Sequence, residues 1–179
     1  MKAAKQGWVD GQFKTAYGYA TGTGYEKDDK QAFYWSLKCA EQNDPECMFN
    51  VVSCYMEGTG TDKNADSMLV WAIRLGSLPD VEDLEQSANI TGARKNLAVM
   101  YQDGDNVPKD IKKSYMWWLI YNESKHDFSS SEQQSNIDII KEMEKTLQPG
   151  DKEAIKKQAE LQLGRPLANF QNLYTPDTN

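Results

Sequence analysis

The sequence predicts an all-α protein built from repeated helix-turn-helix units. Three observations carry that expectation: an internal period, a glycine turn at the same place in each copy, and a polar cap residue before each second helix. A shift of 36 residues aligns Tyr19 with Tyr55, Gly22 with Gly58, Gly24 with Gly60, Lys27 with Lys63 and Trp35 with Trp71. A further shift of 46 brings the same set onto Tyr101, Gly104, Asn106, Lys109 and Trp117. The extra ten residues fall between Leu78 and Asn89, outside the aligned elements. A fixed period of this length is the signature of stacked supersecondary units.

In the first copy, Gln12 to Thr21 reads as a short helix with Phe13, Ala16 and Tyr19 on one face. Gly22-Thr23-Gly24 ends it, because glycine reaches positive φ at little cost after a helix. Asp28 or Asp29 then caps a second helix by accepting from its free N–H groups. That helix is expected to run to about Gln42, with Ala32, Trp35 and Cys39 on its buried stripe.

The second copy starts at Asp44-Pro45, a cap followed by proline at the first helical position. It carries Cys47, Val51, Val52 and Tyr55, turns at Gly58-Thr59-Gly60, and caps its second helix at Asn64, with Met68, Trp71, Ala72 and Leu75 as the stripe. The third copy carries Ala93, Leu97, Ala98 and Tyr101, turns at Gly104, caps at Asp110 and continues through Ser114, Trp117 and Tyr121. Its turn has Asp105-Asn106 where the others have Thr-Gly, and asparagine also tolerates left-handed geometry. The expected organisation is three repeats at 11–43, 44–77 and 90–124, an insertion at 78–89, and Met1 to Gly7 as the end of a second helix from a preceding unit.

The last third leaves the period. Ser129-Ser130-Ser131 followed by Glu132 is a helix-start signal, with a helix expected to Leu147. Pro149-Gly150-Asp151 breaks the chain, and Lys152 to Leu163 reads as another helix. Solenoids need an atypical end unit with a polar outer face, and the helices of 125–164 suit that role. The tail 165–179 reads as irregular, with Phe170, Leu173 and Tyr174 able to tuck back.

The recurring alanine, tyrosine, G-x-G, aspartate, alanine and tryptophan resemble Sel-one-like repeats, relatives of the tetratricopeptide repeat, over roughly residues 3 to 124. The resemblance implies a right-handed α-solenoid that binds proteins and is not an enzyme. Met68 and Ser114 stand where the family has a small alanine, so the later repeats are expected to pack differently.

Composition narrows the function classes. Twenty basic against 27 acidic side chains leave a formal charge of -7, which repels phosphate backbones, and no basic run offsets it. A mean hydropathy of -0.74 and the lack of a long apolar run argue against a membrane-inserted chain. Met1-Lys2-Ala3-Ala4 lacks the apolar core of a secretory signal. The expected compartment is the bacterial periplasm if an upstream signal was removed, and the cytoplasm otherwise.

Chemistry-bearing motifs are sparse. The one histidine, His126, has no HxxxH or CxxC companion, so neither a metal site nor a cofactor is expected. Gly22/Gly24 and Gly58/Gly60 follow helices rather than strands and lack a third glycine, so they read as turns and not phosphate loops. Ser129, Ser130 and Ser131 are not followed by the lysine of a Ser-x-x-Lys nucleophile, which disfavours the β-lactam hydrolysis attributed to a few cysteine-rich relatives. Trp35, Trp71 and Trp117 read as inter-helix core. Asp80, Glu82, Asp83 and Glu85 lack calcium-loop spacing and read as a solvated loop or short helix, or as an acidic surface for a basic partner.

Some secreted, cysteine-rich relatives bridge cysteines eight residues apart, the interval between Cys39 and Cys47. Here both stand about one position earlier in the repeat. Two states are therefore open, a disulfide or two reduced, close-packed thiols, and the shifted register favours the reduced pair. Cys54 reads as buried and inert.

In solenoids of this family the first helix of each unit lines the concave side. The resemblance thus assigns partner contact to Phe13, Lys14 and Tyr17, then Phe49, Asn50 and Ser53, then Lys95, Asn96 and Val99. Some relatives encoded beside secreted toxins act as immunity proteins, so the implied partner is a protein, and more sharply a cognate toxin or effector. An adaptor within an envelope-associated complex is the alternative.

Overall fold

The computed structural model describes residues 1–124 and 130–174; His126 and Ser129 lie outside them. Among the described residues the chain is all-α, without strands. The helices are α1 (Lys2–Lys5), α2 (Val9–Thr21), α3 (Asp29–Ala40), α4 (Pro45–Glu57), α5 (Ala65–Gly76), α6 (Leu84–Asp103), α7 (Ile111–Tyr121), α8 (Ser130–Glu144) and α9 (Asp151–Leu163). The fold is of the helical-repeat, α-solenoid class. Two compact units are present, one of Met1–Leu78 with Asp83–Asn89, the other of Pro79–Glu82 with Ile90–Asn179.

The same local chemistry builds each helix pair. Asp28 caps α3 by accepting from the amides of Lys30 and Gln31, Asn64 caps α5 through Ser67, and Asp110 caps α7 through Lys113. Each cap satisfies an N–H that the helix leaves unpaired and contributes about 1 kcal/mol. The amide of each capping residue donates to the carbonyl of the repeat tyrosine: Asp28 to Tyr19 at 3.0 Å, Asn64 to Tyr55 at 3.0 Å, Asp110 to Tyr101 at 2.8 Å. Between tyrosine and cap, Gly22, Gly58 and Gly104 take φ of 78°, 78° and 81°. Asn106 takes φ 58°, so asparagine does replace glycine in the third turn.

In the first unit α2 packs on α3, α3 on α4 and α4 on α5. Ala4, Ala16 and Trp35 form a core cluster with Tyr19 against it. Ala4 is nearly inaccessible because α1 occupies the place that Ala40, at the end of α3, occupies one period later. Gln42 donates to the Gly7 carbonyl at 3.0 Å and to Gln12 Oε1 at 2.8 Å, tying the α3–α4 turn to the start of α2.

The disulfide state is corrected by the structure. Cys39 and Cys47 are bonded, not reduced, with their Cα atoms 5.7 Å apart. Cys39 lies in the last turn of α3 and Cys47 in the first turn of α4, where Asp44 and Pro45 start the helix. The tight turn brings the two cysteines into bonding range despite their shifted register. Cys54 is half-buried rather than buried; burial first, then the charges of Glu57 and Asp29, push its thiol up.

In the second unit, α7 packs on α9 and α8. Trp117, Tyr115 and Ile120 are fully buried. Ser114, at the position of Ala32, is also fully buried, and its hydroxyl donates to the Ala98 carbonyl at 2.7 Å. A hydroxyl buried without a partner would cost free energy, so this bond explains how serine is accommodated there. Among its described residues the expected irregular tail contains a 3₁₀ turn at Gln171–Leu173, with Leu173 buried.

Candidate functional site

The insertion expected at 78–89 is partly helical. Its last residues are helical from Leu84, with Asp83 accepting from the Gln86 amide at 2.9 Å. The four carboxylates of the segment also part company. Asp80 belongs to the second unit, where it accepts from Arg94 at 2.7 Å and Arg165 at 3.0 Å. Arg94 is fully buried and also donates to Ser124 Oγ at 2.6 Å. Arg165 binds Glu123 at 2.7 Å, and Glu123 also accepts from the amides of Ala168 and Asn169. Asp80 is therefore a structural anion, because a buried guanidinium requires a counter-charge.

Asp83 and Glu85 belong to the first unit, near the start of α4. Burial, then the charges of Glu85, Asp44 and Asp83, raise the Glu46 carboxyl above the usual carboxylate range. Sequence reasoning missed Glu46, since it lies far along the chain from the acidic segment and shares no motif with it.

The nine residues expected to touch a partner lie on α2, α4 and α6, the first helices of the three pairs. On α2, Tyr17 is 55% exposed, Phe13 half-buried, and Lys14 exposed in an ion pair with Asp10 at 2.8 Å. On α4, Phe49 is 42% exposed, while Asn50 and Ser53 are half-buried. Sequence reasoning missed Met56, one helical heptad beyond Phe49 and 50% exposed. On α6, in the second unit, Lys95, Asn96 and Val99 are all exposed. The Lys95 ammonium lies 6.0 Å from the Tyr121 ring centroid.

Two further places gather polar groups. Among the described residues, Cys39, Asp44 and Cys47 offer ligand atoms within 4.8 Å of one another. Their sulfurs are joined, and a metal ligand must be a thiolate, so the oxidised group does not fit an ion. A cleft of about 710 Å³ between the start of α3 and the second glycine turn is lined by Lys27, Asp29, Lys30, Gly60 and Asp62 among others. Its lysine and aspartate charges partly pair, with Lys27 at 3.7 Å from Asp29. Its lining contains neither histidine nor cysteine. No helix of the described residues is long and apolar enough to cross a membrane.

Comparison with known proteins places these features. The Sel1 repeat family model matches residues 9–44, 45–67 and 92–120. A solved Sel1 repeat protein from Oxalobacter formigenes is 28% identical, with a TM-score of 0.55 over 68% of this chain and 46% of its own. The protective antigen c5321 of uropathogenic Escherichia coli, which displays an SLR fold, is 19% identical, with a TM-score of 0.45 over 99% of this chain and 43% of its own. The present chain thus spans less than half the length of either solved protein. No curated protein matches it. Repeated tyrosine-to-cap hydrogen bonds and a family model matched three times lead to one conclusion: the chain carries Sel1 repeats.

Proposed function

We propose that this protein is a non-enzymatic binding module for another protein, contacted through the outward faces of α2 and α4 in the first unit and of α6 in the second. The carrying observation is exposure of large apolar side chains at these positions: Tyr17 at 55%, Phe49 at 42% and Val99 at 37%. An aromatic ring left in water on a rigid helix is a preorganised anchor, since little side-chain entropy is lost when it docks. The finer reading is that of an immunity protein that blocks a secreted toxin or effector. The Cys39–Cys47 disulfide supports it, because such bonds persist in oxidising compartments, where secreted effectors are met.

The test is affinity capture from the native host with the wild-type chain beside Phe49→Ala and Asn96→Ala variants. Loss of a captured protein with Phe49→Ala supports the module reading. Equal capture by all three chains rejects these faces. For the finer reading, the product of a neighbouring gene is assayed for toxicity with and without the protein; absence of both binding and protection discards immunity.

A further inference from the structure

We infer that the outward face of α4, centred on Phe49, docks a basic segment of a partner protein, whose arginine or lysine side chains are received by carboxylates at the starts of α4 and α6. This rests on the protein-binding reading above and adds the chemistry of the partner.

The face follows from helical register. Glu46, Phe49, Ser53 and Met56 are spaced three, four and three residues apart, which places them in one stripe. The opposite side of α4 is spent on packing, with Cys47, Met48 and Val51 fully buried. Phe49 and Met56 are left 42% and 50% exposed, a strip apolar enough to anchor a partner.

Charge selects that partner. Asp44 and Glu46 open α4, Asp83 and Glu85 open α6, and within the first unit the other three carboxylates all lie in Coulombic reach of Glu46. Asp44 and Asp83 each give one oxygen to a cap amide of their own helix, both at 2.9 Å. None of the ion pairs among the described residues involves any of the four. Three other acids show the contrast, each held by a cation: Asp80 by two arginines, Glu123 by Arg165, Glu144 by Lys152. Crowded like charges without counter-ions are unfavourable in the free protein and are relieved when a cation docks. A guanidinium there can also lie over the face of the Phe49 ring. An acidic segment would be repelled by the same carboxylates.

The test titrates the full chain with three labelled peptides: alternating arginine–leucine, alternating glutamate–leucine, and all-arginine. The arginine–leucine peptide is expected to bind. Glu46→Gln with Glu85→Gln should weaken it about tenfold through lost complementarity, and Phe49→Ala about tenfold through the lost anchor. Asp66→Asn with Glu153→Gln removes the same net charge elsewhere and should leave binding unchanged. The inference is overturned if the arginine–leucine peptide does not bind, if the glutamate–leucine peptide binds equally, or if both charge-removal pairs weaken binding alike. It is also overturned if the all-arginine peptide binds as well and Phe49→Ala has no effect. Circular dichroism establishes that each variant is folded, and Glu85→Lys, at an exposed position, serves if the double variant is not. Capture of a native partner that Phe49→Ala abolishes and Glu46→Gln with Glu85→Gln leaves intact would uphold the binding module and reject the basic partner.

Discussion

Gly60 is seated directly against Asp29: a Cβ on Gly60 would overlap the Asp29 carbonyl and stand 3.0 Å from Phe33 Cβ. The second turn glycine of one repeat thus touches the start of the second helix in the repeat before it. Gly24, one period earlier, has the same left-handed φ, but a Cβ there would meet nothing within 4 Å.

Comparing Gly60→Ala with Gly24→Ala separates backbone strain from inter-repeat contact. Both substitutions incur about 1–2 kcal/mol for placing alanine at positive φ. Only Gly60→Ala adds overlap with the neighbouring repeat, about 1–3 kcal/mol more. Thermal melts should therefore rank Gly60→Ala clearly below Gly24→Ala, and equal losses would contradict the contact.

Arg94→Met should destabilise the second unit. The guanidinium is fully buried and donates to Asp80 and Ser124, while Asp80 is 30% exposed and keeps Arg165, so the loss is that of the buried hydrogen bonds, about 1–3 kcal/mol. Arg94→Lys should restore part of the loss, because a single nitrogen, Nη1, donates to both partners and an ammonium also carries several donors. Urea titration with fluorescence detection reads the shift in midpoint. A midpoint unchanged by Arg94→Met would show that the network contributes nothing.

Reduction of Cys39–Cys47, or Cys39→Ala with Cys47→Ala, should lower stability by about 2–3 kcal/mol, the chain-entropy value for so short a loop. Calorimetry with and without a phosphine reductant measures it. A Tm insensitive to the reductant in the wild type would mean that the thiols were already reduced.

Glu144 predicts the acid and alkaline limits of tail docking. Burial pulls its pKa up, but hydrogen bonds from Lys152, Tyr174 and Tyr115 outweigh burial and leave the carboxyl below its usual range. A carboxyl with a lowered folded value stabilises above its ordinary pKa, and that stability is lost as pH falls through the lowered value. Lys152 behaves oppositely: burial lowers it, yet Glu144 and Tyr174 raise it overall, so its contribution is lost only as pH rises through the raised value. In Glu144→Gln the acid limb of a Tm-against-pH curve should flatten. An acid limb identical to wild type would rule this anchor out.

Glu46 should show the reverse sign. Its carboxyl is raised by burial and by neighbouring acids, so its ionised form opposes folding at neutral pH. Glu46→Gln is expected to raise Tm at neutral pH and to leave it unchanged well below the usual carboxylate range. A lower Tm at neutral pH would instead reveal a stabilising cation near Glu46.

Much of the fold was legible in the sequence because its determinants are local. Asp28, Asn64 and Asp110 cap helices through amides two or three residues away, and Gly22, Gly58 and Gly104 turn the chain by their own φ. The candidate surface was legible only in part. Counting from each repeat tyrosine found Tyr17, Phe49 and Val99, which are exposed, but it also selected Phe13, Asn50 and Ser53, which are half-buried. Helical register tells which residues share a stripe; how far a neighbouring helix covers that stripe depends on packing.

By itself the sequence determined the helix pairs, their caps and their period, since each depends on a few bonds along one stretch of chain. Tertiary structure alone decided that Cys39 meets Cys47 as a disulfide, that Asp80 neutralises Arg94 and Arg165, and that Glu46 joins Asp83 and Glu85. Those pairings join different structural elements, and electrostatic and covalent partners are chosen by distance in space, which spacing along the chain does not encode.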